Sequence, residues 1–137
     1  MAKRLLFSLI MGITIICGFS SCEDDPYYDE TIIIQEQLTY DLCYYIWSDW
    51  YIVDGLDCEQ QLTFEPDGKG LDIRRYYYPT GRVEVEEIPF LWFWDGYYPD
   101  VLYMDYHDGR SVMESIRIDG RRLDCRLDGE WIKYKAL

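Results

Sequence analysis

The chain reads as an all-β protein: an eight- to nine-stranded antiparallel up-and-down barrel with one short N-terminal helix. The first observation behind this is a series of six Asp-Gly pairs, Asp54-Gly55, Asp67-Gly68, Asp95-Gly96, Asp108-Gly109, Asp119-Gly120 and Asp128-Gly129. Glycine accepts φ > 0 at no steric cost and aspartate tolerates it better than most residues, so such pairs suit tight hairpins. The second is what lies between them: short runs rich in Tyr, Trp, Val and Ile, several alternating with polar residues. The third is the brevity of the connections from about residue 46 to 135. A sandwich with Greek-key crossings needs longer ones. A meander of this length accumulates twist and leaves exposed edges, and closure into a barrel resolves both.

The first 21 residues have a different character. Met1-Ala2-Lys3-Arg4 is a short basic stretch, and Leu5 to Phe19 is an apolar run of fifteen residues. That is short for a membrane-spanning helix, which needs about 20, and suits the core of a signal peptide. It leads into Phe19-Ser20-Ser21-Cys22, which resembles a bacterial lipobox. On that resemblance Cys22 becomes the acylated N-terminus; the alternative is an uncleaved anchor with an incidental cysteine. Residues 22–30, in which Cys22 is followed at once by Glu23-Asp24-Asp25, read as an acidic tether. An acidic cluster directly after a lipid-bearing cysteine also resembles the surface-export signal of lipoproteins in one group of gut-dwelling Gram-negative bacteria. The resemblance implies an outer-membrane, lipid-anchored protein on the cell surface.

Cleavage before Cys22 would leave 116 residues with 11 basic and 26 acidic side chains, a net charge of −15. Such a balance argues against nucleic acid and against electrostatic docking on anionic lipid. Membrane attachment falls to the acyl chains on Cys22, two or more of which anchor stably.

From Thr31 the period lengthens. Ile34, Leu38, Leu42 and Tyr45 recur every three to four residues, which predicts an amphipathic helix of about three turns. At that length it is marginal alone and must pack on the barrel. The strands follow: Ile46 to Val53, then Glu59 to Phe64, in which Gln60 is the polar exception in phase with Cys58, Leu62 and Phe64. Leu71 to Tyr78 returns from the Glu65–Gly70 turn. Val83 to Ile88 follows, and Pro89 marks a break or an edge before the apolar Phe90 to Trp94. Val101 to His107, Ser111 to Ile118, Arg121 to Leu127 and Glu130 to Lys135 complete the series.

The helix leading to Trp47, the stretch Gln61-Leu62-Thr63-Phe64-Glu65-Pro66-Asp67-Gly68-Lys69-Gly70, then Phe90-x-Trp92 and closing hairpins, all behind a lipobox, resemble the lipocalin-like lipoproteins of that same Bacteroidetes-type group. The resemblance covers residues 31–137. Tyr45-Ile46-Trp47 lacks the Gly-x-Trp glycine of true lipocalins.

An eight-stranded barrel is just wide enough to fill with side chains or to hold one small ligand. Fourteen Tyr and five Trp bear on which. One reading is that aromatics favour strands and pair across them. The other is a stacking platform for a small apolar or sugar-like ligand, with Phe90, Trp92 and Trp94 sharing one strand face and Tyr103 and Tyr77 behind them. Arg75 is in phase with Ile73 and Tyr77, and Glu114 with Val112, Ile116 and Ile118. Pointing inward they would pair or hold a ligand's polar end, while a bulge would leave them solvated.

Cys43, Cys58 and Cys125 remain after Cys17 and Cys22. They read either as free thiols or as one Cys43–Cys58 bridge plus a thiol. The inventory for catalysis is thin: His107 is the single histidine, none of Ser48, Ser111 and Ser115 sits in a Gly-x-Ser-x-Gly, and no metal-ligand spacing occurs. The expectation is a non-enzymatic, cofactor-free binding protein of the cell envelope, or an interaction module that contacts another envelope protein through a filled barrel.

Overall fold

The computed structural model describes residues 26–137. Cys22, the preceding apolar run and the acidic Glu23-Asp24-Asp25 lie outside the described residues. One helix, α1 (Pro26–Tyr44), precedes eight strands: β1 (Trp47–Val53), β2 (Leu56–Phe64), β3 (Lys69–Tyr77), β4 (Val83–Trp94), β5 (Leu102–Tyr106), β6 (Gly109–Asp119), β7 (Arg122–Leu127) and β8 (Glu130–Ala136). Each strand pairs antiparallel with the next, and β8 returns to β1, so the order around the closed barrel is the order along the chain.

The turns follow the sequence signal. Asp54-Gly55 and Asp128-Gly129 have positive φ at both residues, the two-residue hairpin geometry that matches strand twist. Asp95-Gly96 instead opens the longest connection between strands. There the Asp95 carboxylate accepts the N–H groups of Tyr97 and Tyr98, both at 2.8 Å.

Three elements differ from the expectation. The helix starts at Pro26, inside the segment read as tether; proline suits the first turn because its missing N–H has no intrahelical partner there. Pro89 does not divide its region, and β4 runs unbroken for 12 residues, so the strands number eight. Pro89 sits where β4 pairs with β3 alone, an edge position at which a proline is tolerated. The helix face is also rotated. Thr31, Leu38 and Leu42 turn toward the barrel, while Ile34 is 42% exposed.

The helix closes one end of the barrel. Leu42 is fully buried, and its carbonyl, one of the helix's orphan C-terminal acceptors, takes a hydrogen bond from Trp47 Nε1 at 2.9 Å. Gln35 Nε2 donates to the Asp95 carbonyl at 2.9 Å, and Trp94 Nε1 donates to Thr39 Oγ1 at 2.7 Å. Beneath the helix the interior is filled by Trp47, Leu62, Phe64, Phe90, Trp92 and Leu102. Gly70 is paired with Phe90 across β3 and β4, and the Phe90 ring occupies the space a β-carbon on Gly70 would need.

Candidate functional site: the open mouth of the barrel

The two seams that join β1–β4 to β5–β8 are zipped at the helix end only. Between β4 and β5 the register runs from Trp94↔Leu102 to Phe90↔Tyr106, leaving Val83–Pro89 with β3 as its strand partner. Between β1 and β8 it comprises Trp47↔Ala136 and Ser48↔Lys135. Away from the helix the two four-stranded halves therefore diverge. A cavity of ≈ 780 Å³ opens between them.

Its floor is a charged network on inward-facing strand positions. Asp72 is fully buried on β3. Its carboxylate accepts from Arg74 at 2.9 Å, from Gln60 Nε2 at 3.0 and 3.1 Å, and from the Tyr106 hydroxyl at 2.9 Å. The Tyr134 hydroxyl reaches Gln60 Oε1 at 3.4 Å. A buried carboxylate is tolerated only with such partners. Burial works to lower the Arg74 pKa, but the hydrogen bond and charge of Asp72 more than reverse it, so the guanidinium stays charged. Burial first, then Asp72, pushes the Tyr106 phenol up, and it remains a donor.

The walls carry Asp49, Tyr51, Glu86 and Ile88, and the rim carries Asp108, Asp128, Glu130 and Trp131. Arg74 is the single cation among the residues that line this cavity. The mouth is therefore acidic, with aromatic faces at Tyr51, Tyr106 and Trp131. Burial raises the Asp49 carboxyl above its ordinary value, and a hydrogen bond from the Trp50 N–H works the other way.

The residues singled out from the sequence fall elsewhere. Phe90, Trp92 and Trp94 do share the inward face of β4, but in the filled half: Phe90 and Trp92 pack edge-on against Phe64, and Trp92 Nε1 bonds the Glu65 and Lys69 carbonyls at 3.0 Å. Tyr77 and Arg75 face outward. The Tyr77 ring stacks on Trp50 at 5.4 Å, and Arg75 lies 3.9 Å from Glu59. Tyr103 also lies on the outer wall, its hydroxyl on Asp95 at 2.7 Å and its ring beside Phe93. Glu114 meets Arg126 at 4.0 Å on the outside, because a bulge at Ser115 (φ 52°) shifts the phase and brings Met113 and Ile116 inward instead. His107 is exposed beside the β5–β6 turn.

Cys43, Cys58 and Cys125 are free thiols, so the Cys43–Cys58 bridge does not form. Cys43 lies near Asp67 and Glu65 at the helix end, whereas Cys58 contacts Tyr51 in the opposite half. Burial, then these two carboxylates, pushes the Cys43 thiol up to about 11, and burial pushes Cys125 up to about 12. Neither is an activated nucleophile at neutral pH.

Asp72, Arg74 and Tyr106 escaped the sequence reading. The signal was Gln60, a lone amide on an otherwise apolar strand face, which needs a polar partner across the barrel. Comparison of the chain with protein-family models, with curated proteins and with solved structures gives no match.

Proposed function

We propose that this chain is a lipid-anchored, lipocalin-like barrel of the bacterial outer envelope that takes a small, sugar-like ligand into its open mouth and holds it without catalysis. The observation that carries the reading is the ≈ 780 Å³ cavity, within the size range of small-molecule sites. Of the apolar and sugar-like ligands that the aromatic content suggests, the lining favours the second. Gln60, Arg74, Glu86 and Ser111 offer polar groups, while Tyr51, Tyr106 and Trp131 offer ring faces on which a sugar stacks. The anchor is the acylated Cys22, on the strength of the lipobox, and the acidic run after it favours the cell surface.

Titration calorimetry on the full chain in detergent, against a panel of neutral mono- and oligosaccharides and one long-chain fatty acid, tests the ligand class. Saturable sugar binding that weakens in Tyr51→Ala and Trp131→Ala is expected. Saturation by the fatty acid alone would reverse the assignment. Palmitate incorporation that disappears in Cys22→Ala tests the anchor.

A further inference from the structure

The β1–β8 seam has two unzipped edges that face each other. Past Ser48↔Lys135, residues Asp49–Val53 have a strand partner in β2 and Glu130–Tyr134 have one in β7, with none across the seam. Each edge presents backbone N–H and C=O groups to the gap, a template for a further strand. Natural sheets blunt such edges with charge and proline. The free stretch of β4 is blunted in that way, by Glu84, Glu86, Glu87 and Pro89. The β1–β8 seam carries less charge on its outer face: Lys133 stands there beside Trp50 at 56% exposed, Ile52 at 71% and Trp131 at 68%.

The inward side of the same gap has the opposite chemistry. Asp49 lies on β1, Glu130 opens β8, and Asp128 and Asp108 stand at the rim, while Arg74 is held by Asp72. A strand laid along β1 would alternate its side chains between these two surroundings. Every second residue would meet Trp50, Ile52, Trp131 and the aliphatic stem of Lys133, and the others would point into an acidic mouth.

We infer that the split seam is a strand-docking site for an extended basic peptide, in which apolar residues alternate with Lys or Arg. The five free residues of β1 set the docked length at about 17 Å. Backbone pairing supplies affinity, and the alternate side-chain pockets supply selectivity. A second copy of this chain is a poor occupant, because a formal net charge of −13 opposes edge-to-edge pairing of two acidic mouths. The inference does not require a sugar-like ligand: it rests on the free strand edges and the acidic rim, and shares only Trp131 with the ring faces proposed for a sugar.

The test is fluorescence anisotropy of the full chain in detergent with a labelled hexapeptide of alternating Val and Lys, a Val-Glu counterpart, and the Val-Lys peptide N-methylated at every second amide. The Val-Lys peptide is expected to bind saturably, and each altered peptide about tenfold or more weakly. Ile52→Lys, an exposed edge position, and the pair Asp49→Asn with Glu130→Gln are expected to weaken it by about tenfold each. Equal binding of the N-methylated peptide would overturn strand pairing, and equal binding of the Val-Glu peptide would overturn the basic class. Sedimentation as a dimer that excludes the peptide would assign the seam to a second copy and overturn the proposal. Failure of sugar binding with peptide binding intact would remove the small-ligand reading alone.

Discussion

Asp72 and Arg74, two residues apart on β3, both point into the barrel and meet at 2.9 Å, with the Asp72 side chain wholly shielded from water. Next to them Arg75 points outward and lies 3.9 Å from Glu59. Adjacent arginines thus make ion pairs in different dielectric surroundings, and their replacement separates the two cases.

Arg74→Met leaves the Asp72 carboxylate buried with Gln60 and the Tyr106 hydroxyl as its donors. Removing one partner of a buried pair strands an uncompensated charge, and the expected loss is about 3–5 kcal/mol. Arg75→Met removes a partly exposed pair, for which about 1 kcal/mol or less is expected. Urea denaturation of the two variants checks the contrast. Similar midpoints would show that the Asp72 network does not stabilise the floor.

Gly70→Ala places a β-carbon where the Phe90 ring lies, with the backbone of both paired strands fixed by the ladder. Overpacking of this kind costs about 1–3 kcal/mol. The loss is expected to shrink in Gly70→Ala combined with Phe90→Leu, because the smaller side chain vacates part of the space. Thermal melts of the single and double variants measure that coupling. Additive effects would mean that Gly70 serves its turn rather than the ring.

The barrel was legible because its signals are local. Asp54-Gly55 and Asp128-Gly129 need only their own backbone preference to form hairpins, and the alternation of Cys58, Leu62 and Phe64 needs only the pleat. The mouth was not legible, because it depends on facing residues far apart in sequence. On β3 the apolar Ile73 suggested an inward phase that included Arg75 and Tyr77, yet the inward set includes Asp72 and Arg74. Polar inward positions become favourable only with Gln60 and Tyr106 alongside, and where the seams stay open to water. For Glu114 the sequence left open an inward position or a bulge that solvates it, and one residue, Ser115 with its left-handed φ, decides for the bulge in a way that neither composition nor alternation announces.

Trp47 ties the helix to the barrel through a single hydrogen bond to the Leu42 carbonyl. Trp47→Phe keeps an aromatic ring and removes the donor, leaving a buried acceptor unsatisfied. A loss of about 1–3 kcal/mol is expected, concentrated in the last turn of α1. Hydrogen exchange should show faster opening of amides near Tyr40 to Tyr44 with β2–β3 protection retained. Trp94→Phe, at a half-buried site where Thr39 can turn to water, should have a smaller effect. Uniform acceleration across the barrel would mean that the helix and the strands open as one unit.

Asp49 makes the mouth pH-dependent. Its burial raises the folded-state pKa above the ordinary 3.8, so between that value and the raised one the folded protein holds a proton that the unfolded chain has released. Stability contributed by the protonated form is therefore fully present below 3.8 and is lost as pH rises through the folded pKa. Asp49→Asn removes the ionisation while keeping the shape. The variant is expected to match the parent in acid and to exceed its melting temperature at neutral pH, where the parent must keep a partly desolvated carboxylate charged. A cationic peptide would gain affinity over the same rise in pH, because it is the ionised carboxylate that attracts it. Melting curves of both proteins across this range decide the point: a variant that is less stable than the parent at neutral pH would show that the Asp49 carboxylate is held by a favourable partner rather than penalised by burial.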